Sequence, residues 1–205
     1  MHANLVILLL SLSIGLQPVS TDLYLPGLPG LALDLQASVG MVQYTLSGLL
    51  LAFGISQLFW GPLSDKVGRR PIMLTGLVAY TVAAVGCVLS PNIEVLVAWR
   101  VLQGAAMGAV ITSARAVVRD LYTPLHGAKV MSKAMTGLGL MACTSPPLGG
   151  FLSQHWGWRV AMVSVVTYAL FTMCLVAWRF KETITTRNPN ALHLPTMLRI
   201  WGEVL

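Results

Sequence analysis

The sequence predicts an all-α membrane protein, a bundle of six transmembrane helices arranged as two inverted three-helix repeats. Three observations support this prediction: a low content of charged residues, six long apolar runs, and one short motif that occurs twice. Charged residues make up 10% of the 205-residue chain, whereas a soluble domain holds about 25%. The chain is therefore expected to lie in a lipid bilayer.

Each of the six apolar runs is long enough to cross the hydrocarbon core, which takes about 20 residues of helix. The runs cover Leu5–Pro26, Met41–Trp60, Ile72–Ser90, Val95–Ala114, Ala134–Gln154 and Val160–Trp178. The first run contains Pro18 and Asp22 and has no basic segment before it. We therefore interpret it as an uncleaved span and not as a signal peptide.

Basic residues set the predicted orientation. Of the 13 Lys and Arg residues, all but Arg100 and Arg159 lie in segments on the same side of the six spans. Because segments rich in Lys and Arg stay in the cytoplasm, both termini are predicted to be cytoplasmic. The net charge of +6 therefore reflects membrane orientation, and nucleic-acid binding is not predicted.

A ten-residue motif occurs twice in the chain. Gly61–Arg70 reads GPLSDKVGRR and Gly150–Arg159 reads GFLSQHWGWR, with glycine, leucine, serine, glycine and arginine at matching positions. The two copies are three spans apart, so the first lies inside and the second outside. This arrangement is typical of the inverted repeats within transporter halves.

The first copy resembles a signature of the major facilitator superfamily, the Gly-x-Leu-x-Asp-Arg-x-Gly-Arg-Arg/Lys loop between spans two and three. The matching residues are Gly61, Leu63, Asp65, Gly68, Arg69 and Arg70, and Lys66 stands where arginine is usual. The resemblance implies a gating loop. In such a loop Arg69 pairs with Asp120 at the inner end of the fourth span, and Asp65 faces a helix N-terminus of a second half.

Three further stretches resemble motifs of this superfamily, two of them typical of its drug:proton antiporters. Thr21–Pro29, TDLYLPGLP, resembles the first-span motif of the Bcr/CflA group. Arg100, Gln103 and Gly104 match the superfamily's R-x-x-Q-G motif in the fourth span. The fifth span resembles the antiporter motif G-P-x-x-G-G. This helix-bend motif keeps Pro146, Gly149 and Gly150, and Ser145 replaces its first glycine.

Ionisable residues inside spans mark candidate functional sites, because a charge at the bilayer centre costs about 2.5–3.5 kcal/mol. The candidate proton- and substrate-binding residues are Asp22, Tyr24, Gln43, Arg100 and Gln103. Structural alternatives exist for three of them. Asp22 could be hydrated near the outer interface, Arg100 could extend to that interface, and Gln43 could bond to a neighbouring helix.

The resemblance implies that residues 1–182 are the N-terminal half of a twelve-span carrier. Residues 183–205 would begin the cytoplasmic central linker, and the C-terminal half would be missing. Such a protein performs multidrug efflux across the bacterial inner membrane, exchanging protons for small apolar or cationic drugs, and so confers antibiotic resistance. Asp22 would bind either the proton or a cationic group, and Arg100 would bias that exchange or bind an acceptor.

Two other functions remain open: a sugar or metabolite carrier of the same fold, or a non-transporting membrane remnant or partner subunit. The sequence has no Walker loop, dinucleotide motif, zinc spacing or nucleophile elbow. We therefore predict no enzymatic activity, cofactor or metal. Pro195–Leu205 is predicted to form a short amphipathic segment on the membrane surface.

Overall fold

The computed structural model describes residues 3–184. The predicted amphipathic segment Pro195–Leu205 and most of the predicted linker lie outside these described residues. Within them, six long helices and one short one make up the fold, and no strand is present. The helices are α1 (Ala3–Thr21), α2 (Leu28–Asp34), α3 (Val39–Val67), α4 (Arg69–Val88), α5 (Ile93–Leu121), α6 (Pro124–Trp156) and α7 (Trp158–Arg179).

The long helices match the six predicted spans. Five segments within residues 3–184 are long and apolar enough to cross a membrane, namely α1 with its extension to Asp34, α3, α4, α5 and α7. The sixth predicted span, Ala134–Gln154, lies inside α6. That helix is 33 residues long but contains threonines, serines, prolines and two lysines, which lower its mean hydropathy. The predicted all-α fold class is confirmed.

The first span is shorter than predicted. The sequence suggested a helix as far as Pro26, but α1 ends at Thr21. A single turn of 3-10 helix, Leu25–Gly27, then leads into α2, where a loop was expected. Pro26 and Pro29 lie in the first turns of these two short helices, where a missing N–H is tolerated. We call residues 22–24 the break of α1.

Single glycines join two pairs of helices. Gly68 separates α3 from α4 with φ of +123°, and Gly157 separates α6 from α7 with φ of +86°. Glycine adopts such positive φ values without a steric penalty. Because the two glycines hold matching positions in the repeated motif, the inverted repeat is visible in the backbone itself. The predicted gating loop is thus one residue of turn, and Gly61 belongs to α3.

Helix α5 lies between α3 and α4, and α1 packs against α6 and α7. Between helices in lipid the attraction comes mainly from close packing, which small residues permit. A Cβ atom on Gly104 would lie 2.1 Å from the carbonyl oxygen of Leu49 in α3, and one on Gly108 would lie 2.1 Å from Ser56 Oγ. The α3–α5 contact therefore requires glycine at position 104, where backbone lies in the way, whereas at position 108 the Ser56 hydroxyl could rotate.

This contact gives a first prediction. Gly104→Ala should lower the free energy of unfolding by about 1–3 kcal/mol, the usual cost of overpacking, because a backbone carbonyl cannot rotate away. The measurement is SDS-induced unfolding of the purified chain in mixed micelles. Gly54→Ala in α3 is the control, since its Cβ would meet nothing within 4 Å. Equal stability of the two variants would contradict the packing argument.

Candidate functional site

A fully buried arginine occupies the first half of α5. The side chain of Arg100 is 0% exposed, so it does not extend to the membrane interface. Its Nη1 donates to the Ser20 carbonyl oxygen and to Gln103 Oε1, each at 3.0 Å. Its Cζ lies 3.9 Å from the centre of the Tyr24 ring. The structure thus brings three of the five predicted binding residues together: Arg100, Gln103 and Tyr24.

The end of α1 supplies the acceptor for this cation. The last carbonyls of a helix lack intrahelical partners and carry a partial negative charge. The Pro18 carbonyl accepts from the Asp22 amide at 2.8 Å, and the Ser20 carbonyl accepts from Arg100. Because the helix stops at Thr21, a free carbonyl faces the guanidinium.

The cluster contains more donors than acceptors. Arg100 Nε, Arg100 Nη2 and Gln103 Nε2 are buried and have no hydrogen-bond partner among the described residues. No carboxylate in residues 3–184 lies within ion-pair distance of Arg100. An uncompensated buried charge is unfavourable, so these N–H groups favour binding of an external acceptor.

Residues of α4 complete the cluster. The hydroxyls of Tyr80 and Ser20 share a short hydrogen bond, and the Cys87 thiol donates to Gln103 Oε1 at 3.9 Å. The sequence did not point to these three residues. Ser20 lies at the end of α1, whereas Tyr80 and Cys87 are lone polar groups in an apolar run that only the packing of α4 on α5 brings to Arg100.

Asp22 lies in the break of α1, beside the cluster. Its carboxylate is half-buried and accepts a hydrogen bond from Thr21 Oγ1 at 2.7 Å. Two residues further on, the hydroxyls of Tyr24 and Thr45 are 3.0 Å apart, which ties the break to α3. Asp22 is therefore near the Arg100 cluster along the chain but forms no ion pair with it.

Gln43 is not part of the cluster. Its side chain is exposed and makes no described contact with Arg100. Thr45 and Leu49 form the buried face of α3, and a residue two positions from Thr45 points to the opposite side of a helix. The expected grouping of Gln43 with Arg100 is therefore not observed in this six-helix unit.

The helix-bend motif lies against the break. Helix α6 continues unbroken through Pro146 and Pro147. A Cβ on Gly149 would lie 1.9 Å from the Leu23 carbonyl oxygen, and one on Gly150 would lie 3.7 Å from Pro26 Cβ. The motif thus permits a close backbone contact between α6 and the chain that follows α1.

A second cluster lies at the end of the bundle that the sequence predicts to be cytoplasmic, which we call the inner end, and the opposite end is called the outer end. The Arg69 side chain is 3% exposed. Its Nε donates to Asp120 Oδ2 at 2.9 Å, its Nη2 pairs with Asp65 Oδ1 at 2.5 Å, and its Nη1 donates to Ser64 Oγ at 2.6 Å. The Arg69–Asp120 pair is thus present in the structure. Asp65, expected to face a second half, remains half-exposed while it pairs with Arg69.

Glu182 joins this inner cluster, although the sequence did not indicate it. Its carboxylate accepts from the backbone N–H groups of Arg69 and Arg70 at 3.0 and 3.2 Å and so caps the start of α4. A Cβ on Gly68 would lie 2.6 Å from Glu182 Oε2. In turn, Arg70 Nη2 donates to the Ala177 carbonyl near the end of α7, at 3.0 Å. More than one hundred residues separate the partners, so no local pattern could reveal the contact.

The outer end resembles the inner end, but a neutral tryptophan stands where the inner end has an arginine. Trp158 holds the position that matches Arg69, and its Nε1 donates to Asp34 Oδ2 at 3.0 Å, as Arg69 Nε donates to Asp120. Arg159 also pairs with Asp34. The sequence did not predict Asp34, although the position of Trp158 in the repeat was an available signal.

The Arg69 cluster borders a cleft of about 520 Å3 at the inner end. The Asp34 cluster borders a cleft of about 700 Å3 at the outer end. Many lining residues correspond through the repeat. The corresponding pairs are Gly61/Gly150, Ser64/Ser153, Asp65/Gln154, Arg69/Trp158, Arg115/Pro26, Ala116/Gly27 and Arg119/Gly30. Several charged residues inside therefore become neutral ones outside.

This combination of a six-helix unit, an inner Arg–Asp cluster and a buried arginine defines a transporter half. The model of the Major Facilitator Superfamily matches residues 10–205, and the chain belongs to this family of transporters. The membership supports a multi-pass membrane protein that is not an enzyme.

Relatives support the resemblance to the Bcr/CflA group. Multidrug resistance protein D of Escherichia coli K12 is 32% identical over 198 residues, which cover 96% of this chain and 50% of that protein. The bicyclomycin resistance protein homolog of Haemophilus influenzae is 30% identical over 193 residues, or 94% of this chain and 48% of that protein. This chain therefore spans about half the length of these relatives.

A solved structure shows the same fold. The proton:xylose symporter XylE superposes with a TM-score of 0.78 at 15% sequence identity, covering 89% of this chain and 45% of XylE. At this identity the likeness concerns the fold alone. The predicted half of a twelve-span fold is confirmed.

The Glu182 cap gives a second prediction. Glu182→Gln should weaken the start of α4 by about 1 kcal/mol, because hydrogen bonds to charged groups contribute about 1.5–3 kcal/mol when buried and Glu182 is exposed. Hydrogen exchange of a peptide covering residues 64–74 should become faster. The control is Glu94→Gln, an exposed acid in the first turn of α5. Unchanged exchange in the Glu182 variant would show that the cap does not stabilise α4.

Proposed function

We propose that this chain supplies the N-terminal six-helix unit of a proton-coupled drug antiporter of the bacterial inner membrane, with both termini cytoplasmic. Residues 1–182 would form the unit and residues 183–205 would begin the linker. The names of the relatives, multidrug resistance protein D and bicyclomycin resistance protein homolog, support drug-like molecules as the substrate class.

The break of α1 is the observation on which this proposal depends most. Transporters place binding sites at interrupted helices, where free backbone groups and ionisable side chains meet. Here the break carries the half-buried Asp22, and the helix end before it contacts Arg100. A carboxylate at such a position can hold either a proton or a cationic group, so competition between the two gives antiport.

Arg100 and Gln103 have a complementary role in the proposal. Their three unpartnered N–H groups suit hydroxyl, carbonyl or carboxylate oxygens of a substrate. Arg100 binds the end of α1 that directly precedes Asp22. Binding of an acceptor at Arg100 and exchange at Asp22 would therefore act on the same segment of the chain.

The inner cluster would act as a gate. Arg69 holds Asp65 and Asp120 together, and Asp65 remains accessible at the rim of the inner cleft. A positive helix N-terminus of a second unit would be attracted to this carboxylate. Docking there would close the inner end.

A second six-helix unit is needed for alternating access, because transport depends on two units that rock about a central site. The exposed polar residues Gln43 and Ser47 of α3 are unfavourable in lipid but suit a surface that faces a cavity. We therefore propose that Gln43 belongs to the substrate path only in a complete transporter.

A sugar or metabolite carrier is the second candidate function. The excess of donors around Arg100 favours it, because such substrates are rich in oxygen acceptors. The shared fold with XylE leaves the substrate open. Uptake of labelled sugars with no efflux of drugs would favour this candidate over the antiporter.

Asp22 gives a third prediction. Asp22→Asn should abolish efflux driven by a pH gradient and leave membrane insertion intact, because an amide cannot exchange a proton at neutral pH. The chain is co-expressed with the C-terminal half of Escherichia coli multidrug resistance protein D, and ethidium efflux is measured in inverted vesicles. Asp34→Asn, at the outer cluster, is the control for loss of an acid. Efflux equal to that of the parent would remove Asp22 from the mechanism.

The unit alone gives a fourth prediction. The 205-residue chain expressed by itself should insert but show no proton-dependent efflux above empty membranes, since it supplies one of two rocking units. The assay is the same vesicle measurement without a second unit. Efflux that is lost in Asp22→Asn would instead show that copies of this chain form a working transporter.

A further inference from the structure

We propose that Gly149 and Thr45 are positioning residues that hold the break of α1 and so fix the setting of the Asp22 carboxylate. This inference rests on the proposed role of Asp22 as the proton-binding group. It assigns the helix-bend motif of α6 a specific task in this chain. That task is to position the backbone beside the Asp22 carboxylate, and bending of α6 is secondary to it.

Gly149 contacts the break through backbone alone. A Cβ at this position would lie 1.9 Å from the Leu23 carbonyl oxygen, 2.7 Å from its carbon and 2.9 Å from Leu23 Cα. Distances under about 3 Å between such atoms require one side to move. Because Leu23 directly follows Asp22, any side chain at Gly149 must shift the peptide next to the carboxylate.

The same face of α6 continues along the chain after the break. Gly150 lies close to Pro26, and a Cβ on Gly27 would lie 2.9 Å from Ser153 Oγ. The segment from Leu23 to Gly27 therefore rests against one side of α6. A displacement at Gly149 cannot be absorbed by the following residues, because they are also in contact.

Thr45 holds the opposite side of the break. Its Oγ1 donates to the Val42 carbonyl at 2.6 Å, so its lone pairs accept the hydrogen bond from the Tyr24 hydroxyl at 3.0 Å. The Tyr24 ring in turn lies under the Arg100 guanidinium, which binds the Ser20 carbonyl. Helices α3, α5 and α6 therefore fix residues on both sides of Asp22.

Few ionisable groups surround the break. Those on the elements packed around it are Tyr24 on the break itself, Arg100 on α5, Tyr80 and Cys87 on α4, and the exposed Tyr44 on α3. The α6 segment 145–153 contains none, and beyond the break the outer end holds the Asp34–Arg159 pair, Glu94 at the start of α5 and His155 at the end of α6. A movement of the break therefore changes the hydration of Asp22 and its distance from Arg100, with little other electrostatic change.

The test uses carbodiimide modification, because dicyclohexylcarbodiimide reacts with protonated carboxyl groups in apolar surroundings. The full 205-residue chain in membranes is treated at a series of pH values, and modification of Asp22 is quantified by mass spectrometry. No transport is needed. Asp22→Asn provides the blank.

The variants are matched. Gly149→Ala places a methyl group on the Leu23 carbonyl, whereas Gly139→Ala in the same helix places it where nothing lies within 4 Å. Thr45→Val removes the hydroxyl that accepts from Tyr24, and Thr45→Ser restores it. Gly139→Ala and Thr45→Ser therefore control for helix propensity and side-chain size.

In Gly149→Ala and Thr45→Val the released break should let water reach Asp22. The extent of carbodiimide modification of Asp22 at a given pH should fall severalfold, because the reagent favours carboxyl groups in apolar surroundings. Gly139→Ala and Thr45→Ser should match the parent chain. If Gly149→Ala fails to fold, the comparison of Thr45→Val with Thr45→Ser alone tests the positioning role.

The proton-binding role of Asp22 and the positioning role of Gly149 and Thr45 can fail separately. Modification of the parent chain that does not vary with pH would overturn the proton-binding role of Asp22 and, with it, the positioning role. Modification that depends on pH but is the same in Gly149→Ala, Thr45→Val and the parent would leave the proposed function standing. It would show that Gly149 and Thr45 only pack the helices.

Discussion

The burial of the Arg100 charge is the constraint to which the outer half of the bundle is adapted. A guanidinium inside a helical membrane protein needs acceptors, and no carboxylate of the described residues reaches it. The C-terminal end of α1 serves instead, through the Ser20 carbonyl and the negative end of the helix dipole. The early end of α1 at Thr21, the aromatic ring of Tyr24 beneath the cation, and the contact of α6 with the break are all consistent with this one requirement.

The inner end solves the same problem with ordinary ion pairs. The buried side chain of Arg69 lies at the start of α4, and two aspartates and a serine surround it. Glu182 connects the chain leaving α7 to the first turn of α4, so the end of the six-helix unit and the Arg69 cluster form one assembly. A displacement of that chain would therefore reach Arg69 and Arg70 through one hydrogen bond each.

Much of this architecture could be predicted because its causes are local. Apolar runs predicted the spans, and the repeated motif predicted the inverted symmetry that the junctions at Gly68 and Gly157 display. The position where α1 ends could not be predicted from the sequence, since Leu23–Pro26 is as apolar as the span before it. Only packing on α6 determines the conformation of this segment.

Contacts between distant residues account for the remaining differences. Arg100, Tyr24 and Gln103 were grouped correctly because each is unusual inside a span. Ser20, Tyr80 and Glu182 escaped notice because hydroxyls and a lone acid after a span are common, and their roles arise only when segments far apart in sequence meet. Gln43 does not contact Arg100 in this six-helix unit, and the polarity of a residue does not reveal which face of α3 is covered; its role in binding stays a prediction.

The two ends of the bundle differ in how water and ions reach their clusters. The Arg69 side chain is almost wholly buried, whereas both members of the Asp34–Arg159 pair are close to half-exposed. Dissolved salt screens exposed charges over a Debye length of about 8 Å at physiological ionic strength and affects buried pairs far less. Salt therefore weakens the Asp34–Arg159 pair more than the buried contacts of Arg69, and it also acts on the exposed Arg119–Asp65 pair beside Arg69. High salinity would loosen the exposed pairs at both ends of the bundle and leave the Arg69–Asp120 contact largely intact.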